Sequence, residues 1–219
     1  MRGDDMTELI LVCEDLFGLE VLELIRQINK RSQTGPVYRV LGYLSDREDP
    51  FGDVPCSLER LGTISDWMPA GEAKFALGIR EPASKRRAVE TLTGRGGKFA
   101  TILSNWMLAP YMKYGVGNVV SAYCIKDGVK FGDYVTVMDA MITNHEIGDF
   151  STVMRFTNLA GDSIGHDTYV GNHVFLAVGK SIGDNCRVAD GSIVVMNVKD
   201  GMSVSGVPAR RRREKKPQG

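Results

Sequence analysis

Residues 147–193, IGDFSTVMRFTNLAGDSIGHDTYVGNHVFLAVGKSIGDNCRVADGSI, divide into short units that each open on an aliphatic residue. They are IGDFST, VMRFTN, the five-residue LAGDS, then IGHDTY, VGNHVF, LAVGKS, IGDNCR and VADGSI. A period of six belongs neither to a strand, which repeats every two residues, nor to an α-helix at 3.6. It is the repeat of a parallel β-helix, in which short strands stack coil on coil and the aliphatic residue points inward. An apolar residue followed by glycine recurs upstream at Val116-Gly117 and Phe131-Gly132, so the repeat region runs from about Val116 to Val207. The glycine, or an Asn or Asp in its place, is expected to turn the corner at positive φ, which these residues tolerate best. An ordinary β-sandwich would show period-two alternation and hairpin turns instead.

The rest of the chain reads differently. Leu9–Val12 is an apolar strand, Leu19–Ile28 spaces its aliphatics as a helix, and Tyr38–Leu44 is a second strand. Phe75–Gly78, Ser84–Leu92 and Phe99–Leu103 read as strand, helix and strand. Strand alternating with helix implies a small parallel α/β sheet. Pro110 and Gly115 break the pattern between Leu103 and Tyr114, which places an α/β domain at 1–108, the β-helix at 109–208 and a basic tail at 209–219.

Composition narrows the function. Lys plus Arg and Asp plus Glu number 27 each, so no net field draws the chain to nucleic acid or an anionic membrane. No apolar run reaches membrane-spanning length, and Met1–Glu8 is too acidic for a secretory signal. The four cysteines, Cys13, Cys56, Cys124 and Cys186, form no CxxC pair, which suits free thiols in the cytoplasm rather than disulfides or zinc.

Three histidines are present. His145 stands in Thr143-Asn144-His145-Glu146, where the repeat is irregular: the earlier phase calls for an aliphatic residue at Thr143 and finds none. Counting from Met141 to Ile147 gives one full step, and the slip implies an outward bulge or a tightened corner. Beside Glu146, His145 is a candidate general base near neutral pH or, equally, a histidine without catalytic part. His166 and His173 sit at ordinary corner positions, so no metal site is expected. The turn after the first strand, Glu14-Asp15-Leu16-Phe17-Gly18, occupies the place of a phosphate-binding loop, but it keeps one glycine and two carboxylates that repel phosphate.

The α/β domain, the hexads, His145-Glu146 ahead of IGDF, and Gly206-Val207-Pro208-Ala209-Arg210 together resemble the sialic-acid O-acetyltransferase-like family of bacterial sugar acyltransferases. The resemblance covers nearly the whole chain and implies a left-handed parallel β-helix, a homotrimer, and acetyl-CoA bound between neighbouring β-helices. It implies that His145 acts as general base, oriented by Glu146, in direct transfer of an acetyl group to an amine or hydroxyl of a nucleotide-linked sugar. Acetyl-CoA contacts would fall at Thr152, Gly161, Asn172, Asp190, Gly206 and Pro208, and Arg210–Arg213 would meet its 3′-phosphate. The sugar acceptor would lie against Asp15, Leu16, Phe17, Gly18, Asp46 and Gly78, with Phe17 stacking on a base. Relative to the family, the turn after His145-Glu146 and the LAGDS turn are shortened, Thr152 replaces a histidine, and the loop before Gly18 has lost its glycines. Two alternatives stand beside this reading: a catalytically silent trimeric β-helix protein, and a β-helix zinc enzyme of carbonic-anhydrase type.

Overall fold

The computed structural model describes residues 6–104, 112–125, 128–143 and 145–212, without the side chain of Cys124. It divides into two compact units, Met1–Trp106 with Gly115–Ser121, and Met107–Tyr114 with Ala122–Gly219. The expected boundary segment around Pro110 falls at residues 105–111, outside the described residues.

In the first unit, strands β1 (Thr7–Cys13), β2 (Tyr38–Leu44), β3 (Arg60–Gly62) and β4 (Lys74–Gly78) form a parallel sheet in the order β3-β2-β1-β4. Helix α1 (Phe17–Arg31) buries Val21, Leu22, Leu24, Ile25 and Ile28, the spacing of one helical face. It ends on Lys30 and Arg31, whose charges suit the negative pole of a helix. Helix α2 (Pro82–Thr93) starts on a proline whose fixed φ fits the first helical turn. Phe99–Leu103 is not one strand. Phe99 bridges Phe75, whereas β5 (Ile102–Leu103) pairs in parallel with Val119 and Val120.

The second unit is the parallel β-helix, and its three faces are columns of inward aliphatic residues. Phe131, Ile147, Ile164, Ile182 and Val198 stack on the first face. Val137, Val153, Val170, Val188 and Val204 stack on the second. Ile142, Leu159, Leu176 and Val194 stack on the third. None of these side chains is more than 7% exposed, and each buried aliphatic of this size contributes about 1.5–3 kcal/mol. Backbone bonds tie coil to coil, as in Gly148 N–H to Ile164 O at 2.9 Å and Gly165 N–H to Ile182 O at 2.8 Å.

The glycines after the inward residues have a different reason from the one the sequence suggested. Left-handed backbone occurs three residues after the inward aliphatic, at Tyr134, Phe150, Phe156, Asp167, His173 and Asn185, with φ between 52° and 60°. Gly132, Gly165 and Gly183 lie at ordinary φ, where a Cβ would collide with Asp149, Asp184 and Asp200 of the next coil. Those aspartates form a ladder along this corner. Asp149 accepts from Asp133 N–H at 2.8 Å, Asp184 from His166 N–H at 2.7 Å, and Asp200 from Asp184 N–H at 3.0 Å. His166 takes an aspartate's place in the ladder, accepting from Asp149 N–H through Nδ1 at 2.9 Å.

The tail is ordered further than its composition suggests. Arg210 and Arg211 pair antiparallel with Ser205 and Val204, and Arg212 N–H donates to Ser203 O at 2.7 Å. Residues 213–219 lie outside the described residues.

Two glycine substitutions separate steric from conformational need. Gly165→Ala places a methyl on Asp184 and within 2.6 Å of its backbone nitrogen, and is expected to cost about 1–3 kcal/mol, seen as a Tm lower by several degrees. Gly179→Asn, at φ +68° with nothing within 4 Å, is expected to stay within about 0.5 kcal/mol of the parent. Equal losses in a thermal melt would overturn the ladder explanation.

Candidate functional site

The β-helix coils are not of one length, and the difference concentrates at one corner. Between third and first faces the chain takes five residues from Ile142 to Ile147 and five from Leu159 to Ile164, against six from Leu176 to Ile182. The phase therefore does not slip at Thr143 with an outward bulge. Met141 points outward, 43% exposed, and Ile142 is the inward residue, fully buried. A short corner cannot reach out to solvent, and it draws His145 in: the imidazole is 1% exposed.

This corner sets the chemistry of the imidazole. His145 Nδ1 lies 3.1 Å from Gly161 O, on the shortened corner of the next coil. A carbonyl only accepts, so Nδ1 carries the proton and Nε2 is left with its lone pair. Nε2 is buried and has no hydrogen-bond partner among the described residues. Burial lowers the His145 pKa, while the Gly161 carbonyl and the Asp162 charge act the other way. The resting side chain is thus a neutral imidazole with its basic nitrogen unengaged. Leaving a buried acceptor unpaired costs about 1–3 kcal/mol, an outlay typical of a site rather than of a packed core. Gly161 must be glycine here, because a Cβ would collide with Lys180 O and meet Leu176 Cγ at 2.7 Å.

Glu146 does not orient the ring. As the next residue along the strand it points to the opposite side, 67% exposed, with Oε2 3.8 Å from Lys130 Nζ. The partner the sequence assigned to Glu146 is instead the Gly161 carbonyl, and no side-chain pattern advertises a main-chain acceptor. Glu146 lines a groove of about 740 Å³ along the outside of the first face, with Lys113, Lys130, Ser163, Ser181 and Asn197. Serines and Asn197 there keep the outward surface low and polar. The only sequence sign of this arrangement is that LAGDS has five residues where its neighbours have six.

The positions expected to contact acetyl-CoA fall on separate edges. Gly161 is at the corner of His145. Asn172, Asp190 and Gly206 each stand two residues after an inward residue of the second face, and so stack along a different corner. There Asp190 Oδ1 accepts from Asn172 N–H at 2.8 Å. Pro208 lies in the exposed turn beyond them, and Thr152 is fully buried. One chain does not gather this set. The histidines are likewise spread, one on each of the three corners, and among the described residues no group of three His, Cys, Asp or Glu could hold a metal ion.

In the first unit the loop after β1 differs from the expected cradle. Phe17 is 1% exposed in the core and cannot stack on a base; Leu16, 47% exposed, is the residue that faces out. Gly18 and Gly78 are buried against each other, since a Cβ on Gly78 would stand 2.9 Å from Gly18 Cα. They let α1 pack closely on β4. Asp15 accepts from Phe17 N–H at 2.9 Å and pairs with Arg80 at 3.2 Å, which answers part of the repulsion expected of its carboxylate. Asp46, exposed after β2, accepts from Ser65 N–H at 2.9 Å.

No protein-family model and no curated sequence matches the chain. Solved structures do match. The acetyltransferase domain of PglB from Neisseria gonorrhoeae FA1090, in complex with acetyl coenzyme A, superposes with a TM-score of 0.80 at 19% identity, over 94% of this chain and 100% of that one. A histidine-to-alanine mutant of GDP-perosamine N-acetyltransferase from Caulobacter crescentus, in complex with CoA and GDP-perosamine, gives 0.78 at 16% identity, over 94% and 97%. The chain has the fold of these sugar acetyltransferases: an α/β domain followed by a left-handed β-helix of hexapeptide repeats.

The state of His145 is directly measurable. Nitrogen-detected NMR is expected to show the Nδ1–H tautomer, unchanged in Glu146→Gln, with a pKa below the ordinary value of about 6.5. Because the folded pKa is the lower one, the unfolded chain binds the proton first. Stability is full above about pH 6.5 and declines as pH falls from there toward the folded value. His145→Gln is expected to lack this acid-side decline in chemical denaturation. A pKa at or above the ordinary value, or an Nε2–H tautomer, would refute the arrangement.

Proposed function

We propose that this protein transfers an acetyl group from acetyl-CoA to an amino or hydroxyl group of a nucleotide-linked sugar, with His145 as the general base. The observation that carries the reading is the buried, unpartnered Nε2 of His145, held in its basic form by the Gly161 carbonyl. The two structures of the same fold support it, one in complex with acetyl-CoA and the other with CoA and a GDP-linked amino sugar.

In the reaction Nε2 takes the proton of the acceptor as its nitrogen or oxygen attacks the thioester carbonyl. The carbon–sulfur bond then breaks, CoA leaves as the thiol after taking up that proton, and the acetylated sugar remains. No covalent enzyme intermediate is needed. The imidazolium formed in between is supported by the Gly161 carbonyl, which accepts from Nδ1–H, and by the charge of Asp162. Main-chain N–H groups at the corners are suited to the developing oxyanion.

The reading includes a homotrimer, with a division of the chain at about residue 108 into an acceptor domain and a transferase domain. Two features support the trimer. The acetyl-CoA candidates lie on two different corners of one chain, so a neighbour is required to bring them together. The outside of the third face and the corner after it also carry exposed apolar side chains: Met141 at 43%, Phe175 at 38%, Val178 at 77% and Met196 at 56%. Such a cluster marks an association surface. We also place the enzyme in the cytoplasm, where acetyl-CoA and nucleotide sugars are made, with a part in surface-glycan synthesis. No helix among the described residues is long and apolar enough to cross a membrane.

The competing reading, a β-helix protein without catalysis, draws on the same 1% exposure of His145, since a buried ring can serve packing alone. Calorimetric titration with acetyl-CoA, followed by turnover on a panel of amino-sugar nucleotides, separates the two. His145→Ala is expected to lower kcat by about 10²–10⁴ while the acetyl-CoA Kd stays within about twofold. Absence of acetyl-CoA binding to the wild type, or unchanged turnover in His145→Ala, would overturn the reading.

A further inference from the structure

Along the corner after the second face, the left-handed position three residues past each inward valine carries a ring on successive coils. Phe156 and His173 stack with centroids 4.9 Å apart and planes 25° from parallel, and Tyr123 stacks on the far side of Phe156 at 6.0 Å and 24°. The ladder faces outward, with Tyr123 41% and Phe156 53% exposed and His173 exposed as well. It is in register with the backbone, because His173 N–H donates to Arg155 O as Gly191 N–H donates to Asn172 O one coil later, both at 2.8 Å. At that next step the ladder stops. The residue is Gly191, at φ +68°, and a Cβ there would meet nothing within 4 Å.

The ladder therefore has one vacant rung, and three features define what fits. Its floor is the exposed ring of His173, which offers a π-face at the coil spacing of about 4.8 Å. Its edge is the Asp190 carboxylate, whose Oδ1 is engaged by Asn172 N–H. That carboxylate accepts only, so it selects a ring carrying an amino donor. One coil further, three residues past Val204 as Gly191 is past Val188, the exposed Val207 (68%) adds an apolar neighbour. A flat heteroaromatic ring bearing an exocyclic amine answers all three.

We infer that this rung is a stacking slot for the adenine ring of coenzyme A, with His173 as the platform, Gly191 as the clearance and Asp190 as the acceptor for the exocyclic amine. The inference rests on the acetyl-CoA reading and adds to it a specificity element on the donor side. It also gives a physical reason for a glycine at residue 191: any side chain there would occupy the slot.

The test compares two donors, acetyl-CoA and S-acetylpantetheine, which carries the same thioester and arm without the adenosine. Calorimetric Kd values are measured for wild type, His173→Asn and Gly191→Asn. Asparagine is chosen because it accepts the left-handed backbone of both positions. Each substitution is expected to weaken acetyl-CoA on the order of tenfold, the scale of one lost or blocked base–aromatic stack, and to leave S-acetylpantetheine unchanged. A ratio between the two donors that stays at the wild-type value in both variants overturns the slot, whether the two affinities hold or fall together. Failure of the wild type to bind either donor overturns the acetyl-CoA reading itself, and with it this occupant. Thermal melts of both variants confirm the fold.

Discussion

Everything in the β-helix depends on keeping one aliphatic side chain directly above another through successive coils. A strand of two residues has no stability of its own, and only repetition gives each inward residue a neighbour above and below. The backbone bonds between coils demand the same alignment, since a coil out of register would leave buried N–H and C=O groups unpaired. Register is therefore not negotiable on the inside, and any change in coil length must be absorbed at a corner. Shortening by one residue at Ile142–Ile147, matched by Leu159–Ile164 beneath it, is such an absorption. It keeps the columns intact and turns His145 inward onto the carbonyl of Gly161.

The corners thus divide the work among themselves. The corner after the first face is a hydrogen-bonded ladder of aspartates with His166 in one place, and its glycines exist to make room for those side chains. The corner after the second face carries a ring stack that ends at a glycine with space around it. The corner after the third face carries a neutral imidazole with a free lone pair. Three histidines, alike in sequence surroundings, hold three different positions: ladder member, stacked ring and candidate base. Their separation speaks against a single-chain metal centre, because ligands on different edges of one prism do not converge.

The α/β unit shows a different economy. Where a nucleotide-binding loop would open backbone N–H groups to a phosphate, this chain buries Phe17, presses Gly18 against Gly78, and sets Asp15 across from Arg80. The glycines survive for close packing of helix on sheet. The exposed groups at this edge are Leu16, Asp46 and the Asp15–Arg80 pair, so recognition of an acceptor there falls to side chains more than to the backbone.

The sequence by itself determined the class of fold. A six-residue aliphatic period has one structural solution, and the columns Phe131–Val198, Val137–Val204 and Ile142–Val194 are read from it almost residue for residue. It also singled out His145, because an irregular repeat next to a histidine is visible in the spacing alone. It misjudged what depends on contacts between coils. Met141 was counted as inward because it is apolar, although Ile142 beside it fills the column. Glycines were assigned to positive φ although their role is to clear an aspartate one coil away. Phe17 was set against a ligand although the core takes it. Tertiary structure decided these points for one physical reason: in a β-helix a residue's neighbours lie 16 to 18 positions away in the chain. The carbonyl that fixes the imidazole's proton, and the ring that stacks on another ring, are set by coil length and belong to no local motif.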